Sequence, residues 1–129
     1  MVQVKDAKGM YEIKFDSVRR ICYEKNAGFW HKEDIERFHD DYVKKVSHEL
    51  SGKPWAICCD LREYKTSNIS EEMEKHVQWK VSSGMSCAAI IVSDPIVKMQ
   101  LNRASGGKYP QMAFTSEQEA DEWLKSKGF

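Results

Sequence analysis

Pro54-Trp55-Ala56-Ile57-Cys58-Cys59-Asp60-Leu61 is the stretch whose reading decides the fold. It is a short, nearly unbroken apolar run, opened by Gly52-Lys53-Pro54 and closed by Asp60-Leu61-Arg62. Such a run, too short for a buried helix and without polar alternation, is the pattern of a strand buried on both faces, as in a parallel sheet covered by helices. A helix-length pattern precedes it and another follows it, so it reads as the central strand of a β-α-β-α chain. This specifies a fold class and no reaction.

Upstream, His31 to Leu50 has helical period. Ile35, Phe38, Tyr42, Val46 and Leu50 form one apolar stripe, while Lys32, Glu36, Asp40, Lys44 and Lys45 face water. Glu33-Asp34 places negative charge in the first turn, and Ser51-Gly52 ends the helix. Before it, Asn26 to Trp30 reads as a loop carrying two adjacent aromatics. Met10 to Phe15 and Val18 to Lys25 each alternate with period two, and Asp16-Ser17 between them makes an antiparallel hairpin. Met1 to Gly9 is polar and reads as loose.

Downstream, Arg62 to Ile69 reads as a polar loop. A second helix starts near Asn68 or Ser70, with Asn68 and Glu71 spaced as a capping box and Met73, Val77 and Val81 on its buried side. Ser82-Ser83-Gly84 ends it. Cys87 to Val92 is a second fully apolar strand. Asp94-Pro95 opens a helix through Ile96, Val97, Met99 and Leu101 that stops at Ser105-Gly106-Gly107. Tyr109 to Phe114 is a last short strand. Thr115-Ser116-Glu117-Gln118-Glu119 holds two overlapping capping boxes, before a helix that buries Ala120, Trp123 and Leu124. The order is β-β-α-β-α-β-α-β-α. Successive right-handed βα units wind as a four-turn superhelix around a mostly parallel five-stranded sheet, with an antiparallel strand at its edge.

Composition narrows the function classes. The 129 residues suit one domain, 1–129. Lys+Arg and Asp+Glu are equal at 20 each, which gives no electrostatic case for nucleic acid. No apolar run approaches the roughly 20 residues of a membrane span. Met1-Val2-Gln3-Val4-Lys5-Asp6 lacks the apolar centre of a signal peptide. Cys22, Cys58, Cys59 and Cys87 all fall in expected strands and read as small buried hydrophobes of a reducing cytoplasm.

The unit order and several local signatures resemble the STAS-like group, the stage II sporulation AA-like (SpoIIAA-like) proteins. The resemblance spans roughly Met10 to Phe129. It rests on the apolar strand closing on Asp60-Leu61-Arg62, the Ser93-Asp94-Pro95 turn, and Ala113-Phe114-Thr115-Ser116-Glu117-Gln118-Glu119-Ala120-Asp121-Glu122-Trp123-Leu124, which looks like the ending of the group's uncharacterised bacterial branch. It implies a non-enzymatic regulatory or protein-interaction module similar to anti-sigma-factor antagonists. Those antagonists carry an Asp-Ser-Ser segment whose first serine accepts phosphate. Here the matching segment is Asn68-Ile69-Ser70, so Ile69 takes the acceptor position, flanked by Ser67 and Ser70. Ser70 also reads as a helix cap.

Other chemistry-bearing residues have plainer readings. Cys58 and Cys59, adjacent on a strand, point to opposite faces and read as core. His31, His39, His48 and His76 read as solvated, and Glu72 with His76 at i, i+4 falls short of the four ligands of a structural zinc. Gly106-Gly107-Lys108 follows a helix instead of opening one and reads as its cap. Ser93 lacks a nucleophile-elbow context. No catalytic set, metal or cofactor is implied.

Two functions of different class remain. One is the interaction module, as monomer or homodimer. The other is a binder of an apolar or lipid-like small molecule, since the wider superfamily resembles CRAL-TRIO carriers; Tyr23, Phe29, Trp30, Tyr64, Trp79 and Met99 are its candidate cavity lining. A simple superhelix has no strand-order reversal and so lacks the usual nucleotide crevice. Loops at the carboxyl ends of parallel strands gather on one rim, and its aromatic and arginine residues make Trp30, Arg62 and Tyr64 the expected binding residues.

Overall fold

Tyr11, Ile13 and Phe15 alternate with Glu12 and Lys14, and the strand they form is the second of six. The computed structural model describes residues 2–50, 52–65, 68–104 and 109–129. The expected helix ends at Ser51 and Ser105-Gly106-Gly107, the Lys108 loop and Ser67 fall wholly or partly outside them.

The strands are β1 (Val2–Lys5), β2 (Tyr11–Asp16), β3 (Ile21–Phe29), β4 (Trp55–Lys65), β5 (Met85–Ile91) and β6 (Gln111–Phe114). They lie in sequence order across one sheet. β1, β2 and β3 pair antiparallel, and β3 to β6 pair parallel. The helices are α1 (Lys32–Asp41), α2 (Ser47–Leu50), α3 (Ser70–Ser82), α4 (Pro95–Ala104) and α5 (Glu117–Ser126). A π-helical turn, Tyr42–Val46, joins α1 to α2. The expected central strand is interior, and the parallel part of the sheet has no reversal of strand order.

The sheet has six strands where five were expected, because residues 2–5 pair with β2 instead of lying loose. Two interactions explain the order there. Val4 is buried in the core. Asp6 accepts from Arg37 Nε at 2.7 Å and from Arg37 Nη2 at 2.9 Å, as well as from the Met10 amide at 3.0 Å. β3 starts at Ile21, not Val18, which stands 92% exposed in the turn. The Asp16 carboxylate closes that turn by accepting from the amides of Val18 and Arg19. β3 and β4 also run past their expected ends, to Phe29 and Lys65, because each pairs with the other along segments read as loops.

Both faces of the sheet are covered, as the apolar run at 54–61 requires. On one face Ile35, Phe38, Tyr42, Val46 and Leu50 are all buried against β1 to β5, joined by side chains of α3. On the other, Ala120 and Leu124 of α5 pack on Ile21, Ala56, Cys58, Cys87, Ala89 and Ile91. Cys58 and Cys59 divide between the faces, and all four cysteines are free and buried. The stripe on α1 also accounts for the π turn. A repeat of four residues drifts by about 40° per step on a 3.6-residue helix, and one wider turn brings Tyr42, Val46 and Leu50 back toward the sheet.

Helix starts follow local chemistry. Asp94 Oδ1 accepts from the Ile96 amide at 2.8 Å, and Ser116 Oγ accepts from the Glu119 amide at 3.1 Å. α3 departs from expectation: its N-cap is Ile69, with no side-chain cap, and Ser70 is its first helical residue. Ile69 is buried at 4% exposure, so burial was preferred over a polar cap at this position. At Gly84 the backbone has φ 102°, and a Cβ would stand 2.9 Å from the Lys53 carbonyl oxygen, so the α3–β5 turn needs glycine.

Candidate functional site

The inward face of β3 carries Cys22, Glu24 and Asn26 in alternation. Cys22 is an ordinary core residue. The next two are polar groups in an apolar layer, which a protein retains only when they are paired or used.

Glu24 is paired. Its carboxylate accepts from Lys80 Nζ at 2.5 Å, with side-chain exposures of 3% and 8%. It also accepts from the Tyr42 hydroxyl. Tyr42 in turn meets Cys22 Sγ at 3.1 Å. The Lys80 ammonium lies over the Phe38 and Tyr42 rings, 5.4 and 4.7 Å from their centroids. Burial drives the Tyr42 phenol and the Cys59 thiol well above their ordinary ranges, and the Glu24 charge adds to both shifts. Each therefore stays protonated and able to donate.

His76 is one helical turn from Lys80 and only 2% exposed, which corrects its reading as a solvated histidine. Its Nδ1 lies 2.8 Å from Nδ1 of His39 on α1. Desolvation, then the Lys80 charge, then His39 depress its pKa strongly, so the buried ring is neutral. The two rings sit in a polar cleft between α1 and α3 edged by Glu36, Asp40, Glu71 and Glu72. Among the described residues no three His, Cys, Asp or Glu side chains converge as a metal site.

Asn26 is not fully paired. It is 4% exposed, its Nδ2 is 3.6 Å from Cys59 Sγ, and its Oδ1 has no hydrogen-bond partner among the described residues. Asn26, Glu24, Cys59 and Lys80 form part of the wall of a cavity of about 290 Å³ between α3 and the sheet. The remaining wall is mostly apolar: Phe38, Ile57, Leu61, Met73, Val77, Met85, Ala88 and Ile90, with Tyr64, Tyr109 and Gln111. A second cleft, of about 450 Å³, lies on the opposite face by Tyr23, Cys58 and Ile91, and charged side chains surround it.

Of the three binding residues expected from sequence, Trp30 and Tyr64 meet with ring centroids 5.9 Å apart, and Arg62 turns away from them. Trp30 was expected on an exposed rim; instead it is fully buried, donates Nε1–H to the Ala27 carbonyl at 3.0 Å, and packs on Tyr11, Phe38 and Tyr64. An indole gains more from the core of α1 and β2 than from solvent. Arg62 is exposed and turns toward α5, pairing with Asp60 at 2.8 Å and Glu117 at 3.0 Å. Tyr64 lies on the Trp30 side and reaches the cavity wall. Of the other aromatic and methionine candidates, Tyr23 lies by the opposite cleft, Trp79 lines the α1–α3 cleft, and Phe29 and Met99 are exposed.

Glu24, Lys80 and His76 were missed because charged and imidazole side chains are ordinarily read as solvent-facing. A signal was present. Met73, His76, Val77 and Lys80 stand at i, i+3, i+4, i+7, one continuous helical stripe, and Glu24 shares the face of Cys22.

No family model matches the chain, and no curated protein matches it in sequence. Among solved structures it is similar to an uncharacterised protein of Shewanella loihica PV-4, from the DUF3478 family and with a SpoIIAA-like fold. The TM-score is 0.67 at 18% identity, over 87% of this chain and 90% of that one. The fold of this chain is therefore SpoIIAA-like, as the sequence resemblance implied. No helix among the described residues is long and apolar enough to cross a membrane.

Proposed function

We propose that this chain is a non-enzymatic binding module that holds a small, largely apolar molecule between α3 and the sheet. The observation that carries the reading is the cavity of about 290 Å³, mostly apolar in its walls and bounded on one side by a buried polar network. The cavity opens to solvent at its rim, where Leu61, Tyr64 and Met73 are only partly buried, so a small molecule can enter it. Apolar walls with a few convergent polar groups are the common form of a small-molecule site. The polar groups here hold one another: the Glu24 carboxylate, the Lys80 ammonium and the Tyr42 hydroxyl are mutually paired, an arrangement suited to shaping a site more than to transferring protons.

The test is binding of the fluorescent probe N-phenyl-1-naphthylamine, alongside native mass spectrometry of the protein as purified. Saturable binding that Val77→Trp abolishes, with the fold unchanged by circular dichroism, is the expected result. Probe binding that survives Val77→Trp, or no binding at all, would remove the reading.

A regulatory or protein-interaction role is the second reading. It is favoured by α4, where Ile96, Val97 and Met99 stand 60%, 38% and 48% exposed. Capture of a partner by wild-type protein, lost in an Ile96→Ser/Met99→Ser variant, is its test.

A further inference from the structure

We propose that the molecule held in the cavity carries a neutral, hydroxyl-type head group that hydrogen-bonds to Asn26; this rests on the cavity reading above. The starting point is the Asn26 side chain. It is 4% exposed, lines the cavity, and leaves Oδ1 unpaired among the described residues. Buried polar atoms are nearly always satisfied, and one that is not is an explicit demand for a partner. Among the described residues its side chain makes one hydrogen bond, a 3.6 Å contact from Nδ2 to the Cys59 sulfur, a weak acceptor. A hydroxyl both donates and accepts, so it completes the amide whichever of its two ends faces the cavity.

Charge decides what else the head can be. Glu24 and Lys80 are the charged side chains on the cavity wall, and they neutralise each other at 2.5 Å. The Tyr42 hydroxyl is already donated to Glu24. Tyr109, further along the wall, donates its hydroxyl to Gln111 Oε1 at 3.2 Å. A carboxylate, phosphate or ammonium head would thus enter an apolar space without a counter-charge, unless it broke the existing pair. A neutral head avoids that cost. The cavity, about 290 Å³ and open to solvent on one side, limits the buried part of the ligand to a small alkyl or aryl body. The ligand class is therefore a short, uncharged amphiphile, with an alcohol group at Asn26 and an alkyl or aryl body against Ile57, Met73, Val77 and Ile90.

The experiment is displacement of N-phenyl-1-naphthylamine by 1-octanol, octanoate and octylamine near neutral pH, where the acid and the amine are ionised. The expected result is that 1-octanol displaces the probe at a concentration about tenfold or more below either charged homologue. Asn26→Leu, which keeps the branching of the side chain and removes the amide, should weaken 1-octanol by about tenfold while the probe still binds. Octanoate or octylamine matching 1-octanol would overturn the head-group assignment and leave the cavity reading standing. Unchanged 1-octanol affinity in Asn26→Leu would do the same. Failure of the probe itself to bind would overturn both. The wild-type series decides whether the head group is neutral even if the variant does not fold.

Discussion

Lys80 Nζ stands 2.5 Å from Glu24 Oε2, bridging α3 and β3 with both side chains under a tenth exposed. Breaking such a pair leaves one charge buried without a partner, which costs about 3–5 kcal/mol. Replacing both by apolar residues of similar volume is often neutral or stabilising. Lys80→Met and Glu24→Leu should therefore each destabilise strongly, and the double variant should recover most of the loss. Urea unfolding of the four proteins measures this coupling. Additive single losses would mean that the two charges do not act as a pair.

His76 predicts the acid side of the stability curve. In the folded chain its pKa lies far below the ordinary 6.5, through desolvation first and then the Lys80 and His39 charges. In the unfolded chain it titrates near 6.5. As pH falls below about 6.5 the unfolded chain takes up a proton that folded His76 refuses, so stability is lost as pH falls, by up to about 1.4 kcal/mol per unit. Asp6, Asp34, Asp60 and Asp121 have lowered values, and their losses come at more acid pH, below about 4. His76→Phe, which keeps a ring against Phe38 and Tyr42, should flatten the curve between about pH 6.5 and 5. Equal slopes in the variant and the wild type would show that another group governs the window.

Ile57 is the test of what the sequence made legible. It was expected to be wholly buried in a central strand, and it is 3% exposed on an interior strand. Ile57→Ala should cost about 2–5 kcal/mol by thermal or urea unfolding; a loss under about 1 would contradict its place in the core. The helix over 32–50, the paired cap residues at Asp94 and Ser116, and the opposite faces of Cys58 and Cys59 were legible in the same way. In each case a local period or a short-range bond sets the outcome. What was not legible depends on distant partners. Val2–Lys5 is a strand because β2 offers an edge and Arg37, 31 residues from Asp6, holds the following turn. Lys80 is buried because Glu24, 56 residues away, meets it. The cavity has no motif, since its walls come from α1, α3 and four strands.

Trp30 and Arg62 should separate in their consequences, although the sequence placed them on one rim. Trp30 is enclosed by Tyr11, Phe38 and Tyr64. Trp30→Ala should cost about 3–5 kcal/mol by unfolding, as a core truncation does. Arg62 is exposed and its ion pairs with Asp60 and Glu117 are solvated. Arg62→Ala should cost under about 1 kcal/mol. Similar losses for the two would place Trp30 outside the core or Arg62 inside it.

Arg20 is the non-glycine residue with positive φ among those described, at 58°. That conformation is strained for a residue with a Cβ. The side chain supplies a reason to hold it there. Its guanidinium reaches across to the end of α2, donating from Nε to the Pro54 carbonyl at 2.9 Å, from Nη1 to Glu49 at 3.3 Å, and from Nη2 to Lys53 at 3.2 Å and to Leu50. Glu49 and Leu50 close α2, where a helix leaves its last carbonyls short of donors and a cation suits the helix dipole, while Lys53 and Pro54 belong to the connection that follows. Meanwhile the Arg20 carbonyl accepts from the Ala56 amide at 2.9 Å, which fixes β4 against the turn. Two substitutions divide the contributions. Arg20→Gly loses the guanidinium but relieves the backbone, whereas Arg20→Ala loses the guanidinium and keeps the strain. We expect Arg20→Ala to cost about 1–3 kcal/mol, from lost charge-assisted bonds. Arg20→Gly should cost about 1 kcal/mol less than Arg20→Ala. Arg20→Lys should recover little, because an ammonium cannot span several carbonyls as a planar fork does. Urea unfolding of the three variants orders them. Arg20→Gly more stable than wild type by 1 kcal/mol or more would mean that the strain outweighs the whole array of bonds, and that the guanidinium does not anchor the α2–β4 connection.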